Sequence, residues 1–330
     1  MSKKTNFGKI NGREAMVVGI IIVMVALFSI LSPTFRTYST FVSVLDMSYY
    51  IALMAIGVTF TLITGGVDLS IGTGLICYSL FGGYLIVHKD VPVVVALIAC
   101  LVLSILIGAL NGFLVAIMDL PPFLATLCTC MITRGLGSLL SGGFGVSWPS
   151  SLEPEGWFRK IFRFTVNGKV IPIGIVVVVV LVLLMNFILK HTKIGRYTIA
   201  IGSNKEATKL AGVNVKFYHV FAYVISGFFA GLAAIAYSAT YVTIYPGSGA
   251  GFELDAIGGA IVGGVSASGG VGTIAGAFLG VLVITLMKVG LPFIGLQANW
   301  QQIFTGLVLI GAVLILSLIH ISEPTRLDVI

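Results

Sequence analysis

Long apolar runs with almost no charge constrain this chain more than any other feature. Residues 175–184 are all Ile, Val or Leu, and comparable runs recur along the sequence. Only 9% of the 330 residues are charged, against roughly 25% in a soluble domain. Each backbone polar group must find a partner inside a lipid-buried segment, so such runs are helical. The pattern predicts an all-α integral membrane protein, because barrel strands would alternate in segments of ~10 residues.

About ten helices can be assigned, some of them short or re-entrant. One of them is shorter than a bilayer crossing requires, and it is predicted to be a half-helix surrounded by protein or a water-filled cavity. The candidate helices are 16–31, 44–63, 71–87, 91–118, 123–140, 171–189, 217–239, the short 255–264, 272–287 and 303–318.

Two basic clusters predict one orientation. The first cluster is Lys3, Lys4, Lys9 and Arg13, and it predicts that a short N-terminus, residues 1–15, lies in the cytoplasm. The span that follows is expected to be retained in the mature protein and not cleaved as a signal peptide. Six crossings later the segment 190–216 returns to the same side. It carries six Lys or Arg residues against one acid, Glu206. The net charge of +7 is explained by this bias, with no contiguous patch that would suggest nucleic-acid binding.

The other long connection, residues 141–170, is expected outside. Its aromatic residues Trp148, Trp157 and Phe158 suit a membrane interface. Its four basic residues weaken the charge bias there. The orientation rests on segment 190–216, whose charges are more one-sided.

Segment 190–216 contains the strongest functional signal. Ser203 or Asn204 can cap a short helix, Glu206 falls in its first turn, and Gly212 is placed to end it. The expected structure is a short amphipathic helix exposed between two spans. It could be a plain charged loop, a lipid-surface helix or a docking helix for a soluble partner.

The residues of this segment resemble a known family. The spacing Glu206-Ala207-Thr208-x-x-x-Gly212 is similar to the coupling helix of ATP-binding-cassette importer permeases. Residues 65–72, GGVDLSIG, resemble the GG-[IV]-DLS-x-G segment of the ribose, xylose, arabinose and galactoside branch. Residues 195–214 and the ELDAI…GG…SGG pattern of 253–270 resemble further segments of that branch. Residues 121–127, PPFLATL, resemble its P-x-F-x-x-T-L segment.

The resemblance implies a membrane permease domain over residues 16–316, with the type II importer fold. It also implies that two permease copies form a pore, that cytoplasmic ATPases dock on the coupling helices, and that a periplasmic or lipid-anchored binding protein delivers a monosaccharide. This chain would then have no catalytic residue, and it lacks the P-loop pattern. No metal or cofactor is expected. The residues expected to couple to the ATPase are Gly195, Arg196, Gly202, Asn204, Glu206, Ala207 and Gly212.

Polar residues in the apolar segments are candidates for the translocation path or its gate, because charge inside a membrane is costly and faces a bundle interior or a cavity. Each has a structural alternative. Asp68 could cap the third span with help from Ser70, and the acids near 255 could cap the short helix. Asn111 could bridge helices. The candidates are Asp68, Ser70, Asn111, Phe123, Thr126, Glu253 and Asp255.

Two residue patterns are absent from the sequence. The spans show no concentrated set of aromatic residues beside planar polar groups, which predicts weak sugar affinity in the membrane. The four cysteines are expected to be buried small hydrophobes, because they form no CxxC pair.

Two other functions fit less well. An ion-coupled secondary transporter for a small polar solute would also use a discontinuous helix, such as the one near Asp255. An intramembrane enzyme would need converging catalytic groups, and the four histidines lie at span ends or in the tail.

The C-terminal residues 317–330 depart from the family pattern, which ends in a basic tail. This stretch has one basic residue and two acids. It is expected to be an artefact joined to a shortened reading frame, and no function is drawn from it.

Overall fold

The computed structural model describes residues 12–297, 299–308 and 310–311. Within them the chain is mainly helical, with two small two-stranded sheets and two short 3-10 helices. The α-helices are α1 (Gly12–Leu31), α2 (Tyr38–Ile63), α3 (Ser70–Lys89), α4 (Val93–Ala116), α5 (Pro122–Leu140), α6 (Gly174–His191), α7 (Lys193–Ser203), α8 (Lys205–Leu210), α9 (Val215–Thr240), α10 (Phe252–Val262) and α11 (Ile274–Phe293). The strands are β1 (Val146–Ser147), β2 (Phe164–Val166), β3 (Lys169–Ile171) and β4 (Thr243–Ile244).

Eight of the described helices are long and apolar enough to cross a membrane: α1 to α6, α9 and α11. This confirms the all-α membrane fold. Helix α10 has 11 residues, so its rise of ~16 Å is about half a bilayer core. The predicted short helix is therefore present. Of the last predicted helix, residues 303–308 and 310–311 are helical, and the rest lies outside the described residues.

Helices α2 and α9 form the centre of the bundle. Residues 48–63 of α2 are all buried, and α9 packs along both α2 and α4. A helix that is apolar on every side belongs inside a bundle. Helices α4 and α9 approach closely at Gly108 and Gly227, where an added Cβ would meet backbone atoms of the other helix. By contrast, only 11% of the 18-residue apolar window in α1, and 28% of that in α4, is buried, as expected of helices that face lipid.

The bundle has two ends. Helices α7 and α8, between α6 and α9, form what we call the basic face. The opposite face carries the sheet β1–β4, in which Val146 pairs with Ile244, and the hairpin β2–β3. It also carries a 3-10 helix, Pro154–Ile161.

Two aromatic residues of the opposite face correct the sequence expectation. Trp148 and Phe158 are buried, not placed at a membrane interface, and their rings pack 5.4 Å apart. The Trp148 indole N–H donates to the Ser79 carbonyl at 3.0 Å, which joins this connection to α3. Trp157 is 44% exposed and is the one of the three that remains available to an interface.

Two arginines of the opposite face have structural partners. Arg159 is buried and donates to the carbonyls of Pro149, at 2.6 Å, and Ala239, at 3.0 Å. Arg163 donates to the Thr240 carbonyl and lies 3.3 Å from an Asp46 carboxylate oxygen. Both arginines therefore neutralise the carbonyl end of α9, where a cation is favourable. Arg159 and Arg163 are therefore held by contacts within the protein. This explains why these two basic residues lie on the face that the Lys and Arg bias predicts to be outside.

Three of the four cysteines are buried, as predicted, but Cys128 on α5 is exposed.

Candidate coupling and translocation site

The basic face is built from two capped helices. The Thr192 hydroxyl accepts from the Gly195 N–H at the start of α7, and the Asn204 side chain accepts from the Ala207 N–H at the start of α8, at 2.9 Å. Asn204, not Ser203, is therefore the cap. Glu206 lies exposed in the first turn of α8, as predicted.

The end of α8 is set by Gly212. Its φ of +79° is in the left-handed region that glycine adopts freely, so the chain turns there toward α9. The sequence predicted one short helix in this segment, whereas the structure has two. Helix α7 was not predicted, because its residues were interpreted as the segment that precedes the coupling-helix motif.

The elbow between α6 and α7 is tight. A Cβ at Gly195 would overlap the Leu189 carbonyl, and the Arg196 guanidinium donates to the His191 carbonyl at 3.2 Å. Both predicted coupling residues therefore fix the angle at which α7 leaves the membrane.

Three glycine-containing motifs of the sequence meet at one point, which we call the glycine junction: Gly65, Gly202, Gly269 and Gly270. The Gly270 N–H donates to the Ile63 carbonyl, the last residue of α2, at 2.8 Å. A Cβ at Gly202 would overlap that same carbonyl, and Gly269, with φ +91°, packs against Gly65 and Gly202. The junction joins the end of α7 directly to the end of α2 and to the loop after α10.

Asp68 is at the centre of a buried polar cluster. Its Oδ1 accepts from the Ser70 N–H at 3.0 Å and the Ser70 hydroxyl at 2.6 Å, at the first residue of α3. The N-cap residue itself is Leu69, not Asp68. Its Oδ2 accepts from the Ser226 hydroxyl at 2.7 Å. Asn111 donates to Ser70 and accepts from Thr129, which confirms its helix-bridging role. One carboxylate therefore ties α3 to α4, α5 and α9.

The two candidates on α5 lie in different surroundings. The Thr126 side chain is buried and its hydroxyl donates to the Pro122 carbonyl at 2.8 Å. Phe123, one turn earlier, is 55% exposed. The structure brings Thr126 near the Asp68 cluster through a second contact, 3.3 Å to the Val67 carbonyl, and leaves Phe123 at the surface.

The acids of α10 do not cap it, contrary to the structural alternative. Gly251 is the N-cap residue, and it makes no side-chain cap hydrogen bond. Asp255 instead forms a buried ion pair with Lys288 of α11. Glu253 is partly buried, packs against Gly72 of α3, and its Oε2 has no hydrogen-bond partner among the described residues. Lys288 was missed, although it is the single charge in an apolar run of 20 residues.

An aromatic cluster surrounds the start of α10. Tyr50, Tyr237, Tyr241 and Phe252 have ring centroids 4.6–6.4 Å apart. The sequence analysis did not anticipate this concentration of aromatic rings. These residues come from three helices and the α9–β4 connection, so no local pattern reveals that they meet.

No group of three metal-binding side chains occurs within the part of the chain that the structure describes. The chemistry of the site is hydrogen bonding, packing and charge pairing.

Comparison with known proteins agrees with the geometry. Residues 40–313 match the family described as "Branched-chain amino acid transport system / permease component". The ribose import permease protein of Escherichia coli (strain K12) is 34% identical over 302 residues, which is 89% of this chain and 91% of that protein.

Two other relatives carry different sugars in their names. The fructose import permease protein of Rhizobium meliloti is 30% identical over 90% of this chain and 82% of its own length. The galactose/methyl galactoside import permease protein of Haemophilus influenzae is 31% identical over 91% of this chain and 92% of its own. None of the solved structures matches this chain.

Three findings agree on one assignment. A family model matches most of the chain, relatives are 30–34% identical, and the membrane-spanning bundle carries a capped helix pair on one face. The chain belongs to this permease family: it is a membrane-embedded transport subunit of an ATP-binding-cassette importer, and not an enzyme.

Proposed function

We propose that this permease carries a monosaccharide across the plasma membrane and takes its energy from ATPase subunits that dock on α8. The observation that carries the proposal is the glycine junction. It connects the exposed helix pair α7–α8 to the end of α2 and to the loop after α10 through backbone contacts, without a flexible linker.

The proposed mechanism follows from this connection. A displacement of α8 by the ATPase moves Gly202, which has no free space against the Ile63 carbonyl. The motion therefore reaches α2, the central helix, and the half-helix α10. Glu206 and Lys209 lie exposed on α8 and would contact the ATPase, while Gly195, Arg196 and Asn204 keep the helix pair rigid.

The orientation we propose places the basic face and residue 12 in the cytoplasm, because that face carries the one-sided Lys and Arg excess. The opposite face then receives sugar from the binding protein. A second copy of this chain would complete the pore, as the family resemblance implies.

The sugar class comes from the relatives, whose names are those of ribose, fructose and galactose import permeases. We assign the path to the region between the Asp68 cluster and the start of α10, where Ser70, Asn111, Thr126, Glu253 and Asp255 lie. Phe123 is assigned to the path surface near the basic face. No cofactor is assigned to this chain.

The test is reconstitution of the permease in liposomes with the ATPase and binding protein encoded beside it. We expect ATP-dependent uptake of a ribose-, fructose- or galactose-type sugar. Replacing Glu206→Ala or Gly212→Ala should leave the protein inserted and the ATPase active but abolish most uptake, because the docking helix no longer transmits motion. Glu155→Ala, the same kind of change on the opposite face, is the matched control.

Full uptake by both variants at normal expression would contradict the coupling assignment. Uptake by this chain alone, driven by an ion gradient, would contradict the importer assignment as a whole.

A further inference from the structure

Arg134 is a charged residue within a membrane-spanning helix. It is the thirteenth residue of α5, about two thirds of the way along a helix whose other 18 residues carry no charge. Its side chain is exposed on the surface of the single chain. No hydrogen bond or ion pair to it is present within the described residues.

A guanidinium at this depth is costly in lipid, and charged groups in spans face a bundle interior or a water-filled cavity. Arg134 does not face the interior of its own bundle. Its exposed side is therefore assigned to an aqueous surface that this chain shares with the transport path, and not to lipid.

The cleft beside Arg134 has a mixed lining, with polar residues among apolar ones such as Ile76, Leu80 and Pro246. Arg134 lines this narrow cleft with Thr133 of α5, Thr73 of α3, and Ser248 of the segment that leads from β4 into the membrane. The Thr73 and Thr133 hydroxyls are hydrogen bonded at 2.8 Å. The cleft volume is about 10 Å³, room for one water and not for a sugar, so the cleft is closed in this conformation.

Glu253 lies close to the same cleft. It packs against Gly72, next to Thr73, and its Oε2 is buried with no partner among the described residues. The positive charge of Arg134 acts on this carboxyl group. An acceptor oxygen, Glu253 Oε2, and a donor group, the Arg134 guanidinium, therefore lie near the start of α10 without a hydrogen-bond partner among the described residues.

We propose that Arg134 and Glu253 line the sugar path and contact the hydroxyl groups of the monosaccharide when the cleft opens. The inference rests on the proposed function. A guanidinium donates to hydroxyl oxygens and a carboxylate accepts from hydroxyl hydrogens, so the pair matches neighbouring hydroxyls on a sugar ring.

Accessibility tests the position of Arg134. The assembled transporter in liposomes, with Cys128→Ala to remove the exposed native thiol, would carry either Arg134→Cys or Leu136→Cys, a control two residues away that is 42% exposed. A membrane-impermeant cationic thiol reagent should label position 134 and not 136. Absent labelling at 134, or equal labelling at 134 and 136, overturns the inference.

Transport tests the contact. Arg134→Met should reduce maximal sugar uptake by about tenfold or more, the value of a lost charge-assisted hydrogen bond, while the loaded binding protein still stimulates the ATPase. Arg134→Lys should restore part of the uptake. The control Lys160→Met changes a cation on the opposite face.

Unchanged uptake by Arg134→Met, or an equal loss of ATPase stimulation, overturns the contact. Failure of the unmodified transporter to move any of the three sugars would instead contradict the proposed function, so the two failures can be told apart.

Discussion

Gly202 occupies a position where only glycine fits the structure. It lies at the end of α7 where the Ile63 carbonyl and the Gly270 N–H leave no room for a side chain. The contact is between backbones, so no rotamer change in a neighbour can relieve an added methyl group. The coupling that we propose through this junction therefore depends on the absence of a Cβ.

We expect Gly202→Ala to lower both the thermal unfolding midpoint and sugar uptake, because the added Cβ must push α7 away from α2. Overpacking of this kind costs ~1–3 kcal/mol. Gly19→Ala is the control, since nothing lies within 4 Å of a Cβ there. Scanning fluorimetry of both purified variants, with uptake measured in parallel, checks the result. Equal behaviour of the two variants would show that the junction is not tight.

Local contacts of the site were predictable and distant ones were not. Asp68 and Ser70 are two residues apart, so their contact at the start of α3 could be inferred from the sequence, as could the Asn204 cap of α8. The Ser226 hydroxyl on the other side of Asp68 is 158 residues away and no spacing reveals it. The same limit hid the aromatic cluster, whose rings come from separate elements.

At the scale of elements, the apolar runs predicted the spans because lipid allows few alternatives. The eight long helices and the short α10 all fall where those runs lie. Helix α7 and the small sheets were not predicted. Their residues are mixed in character, and packing against the bundle, not hydropathy, determines their structure.

The anchoring of α9 by Arg159 gives an element-scale prediction. Burial lowers the pKa of the Arg159 guanidinium to about 10, so it stays protonated at neutral pH and can bind the carbonyls of Pro149 and Ala239. Arg159→Met should cost about 2–3 kcal/mol, since it leaves those buried acceptors unpaired. Lys160→Met, the exposed neighbour, should change stability little. Comparison of the unfolding midpoints of the two variants checks this prediction. Equal midpoints would show that Arg159 does not stabilise the end of α9.

Across the whole molecule, the basic residues form two groups: those held by contacts within the protein, and those without an ion-pair partner among the described residues. The arginines at 159 and 163 are committed to α9 and Asp46, so they carry little weight for orientation. The lysines of the basic face at 190, 193, 205, 209 and 216 take part in no ion pair among the described residues. The proposed orientation rests on this second group, and the proposal that α8 is the ATPase docking helix depends on it.

The central claim is tested most directly by locating the two faces in intact cells. Two variants are made in a Cys128→Ala background: Glu206→Cys, on α8, and Leu152→Cys, on the opposite face, where Leu152 is 95% exposed. Each variant is treated with an impermeant thiol reagent in right-side-out spheroplasts. We expect labelling at 152 in intact spheroplasts and at 206 only after permeabilisation. Labelling at 206 in intact spheroplasts would place α8 outside, beyond the reach of a cytoplasmic ATPase, and would contradict the account.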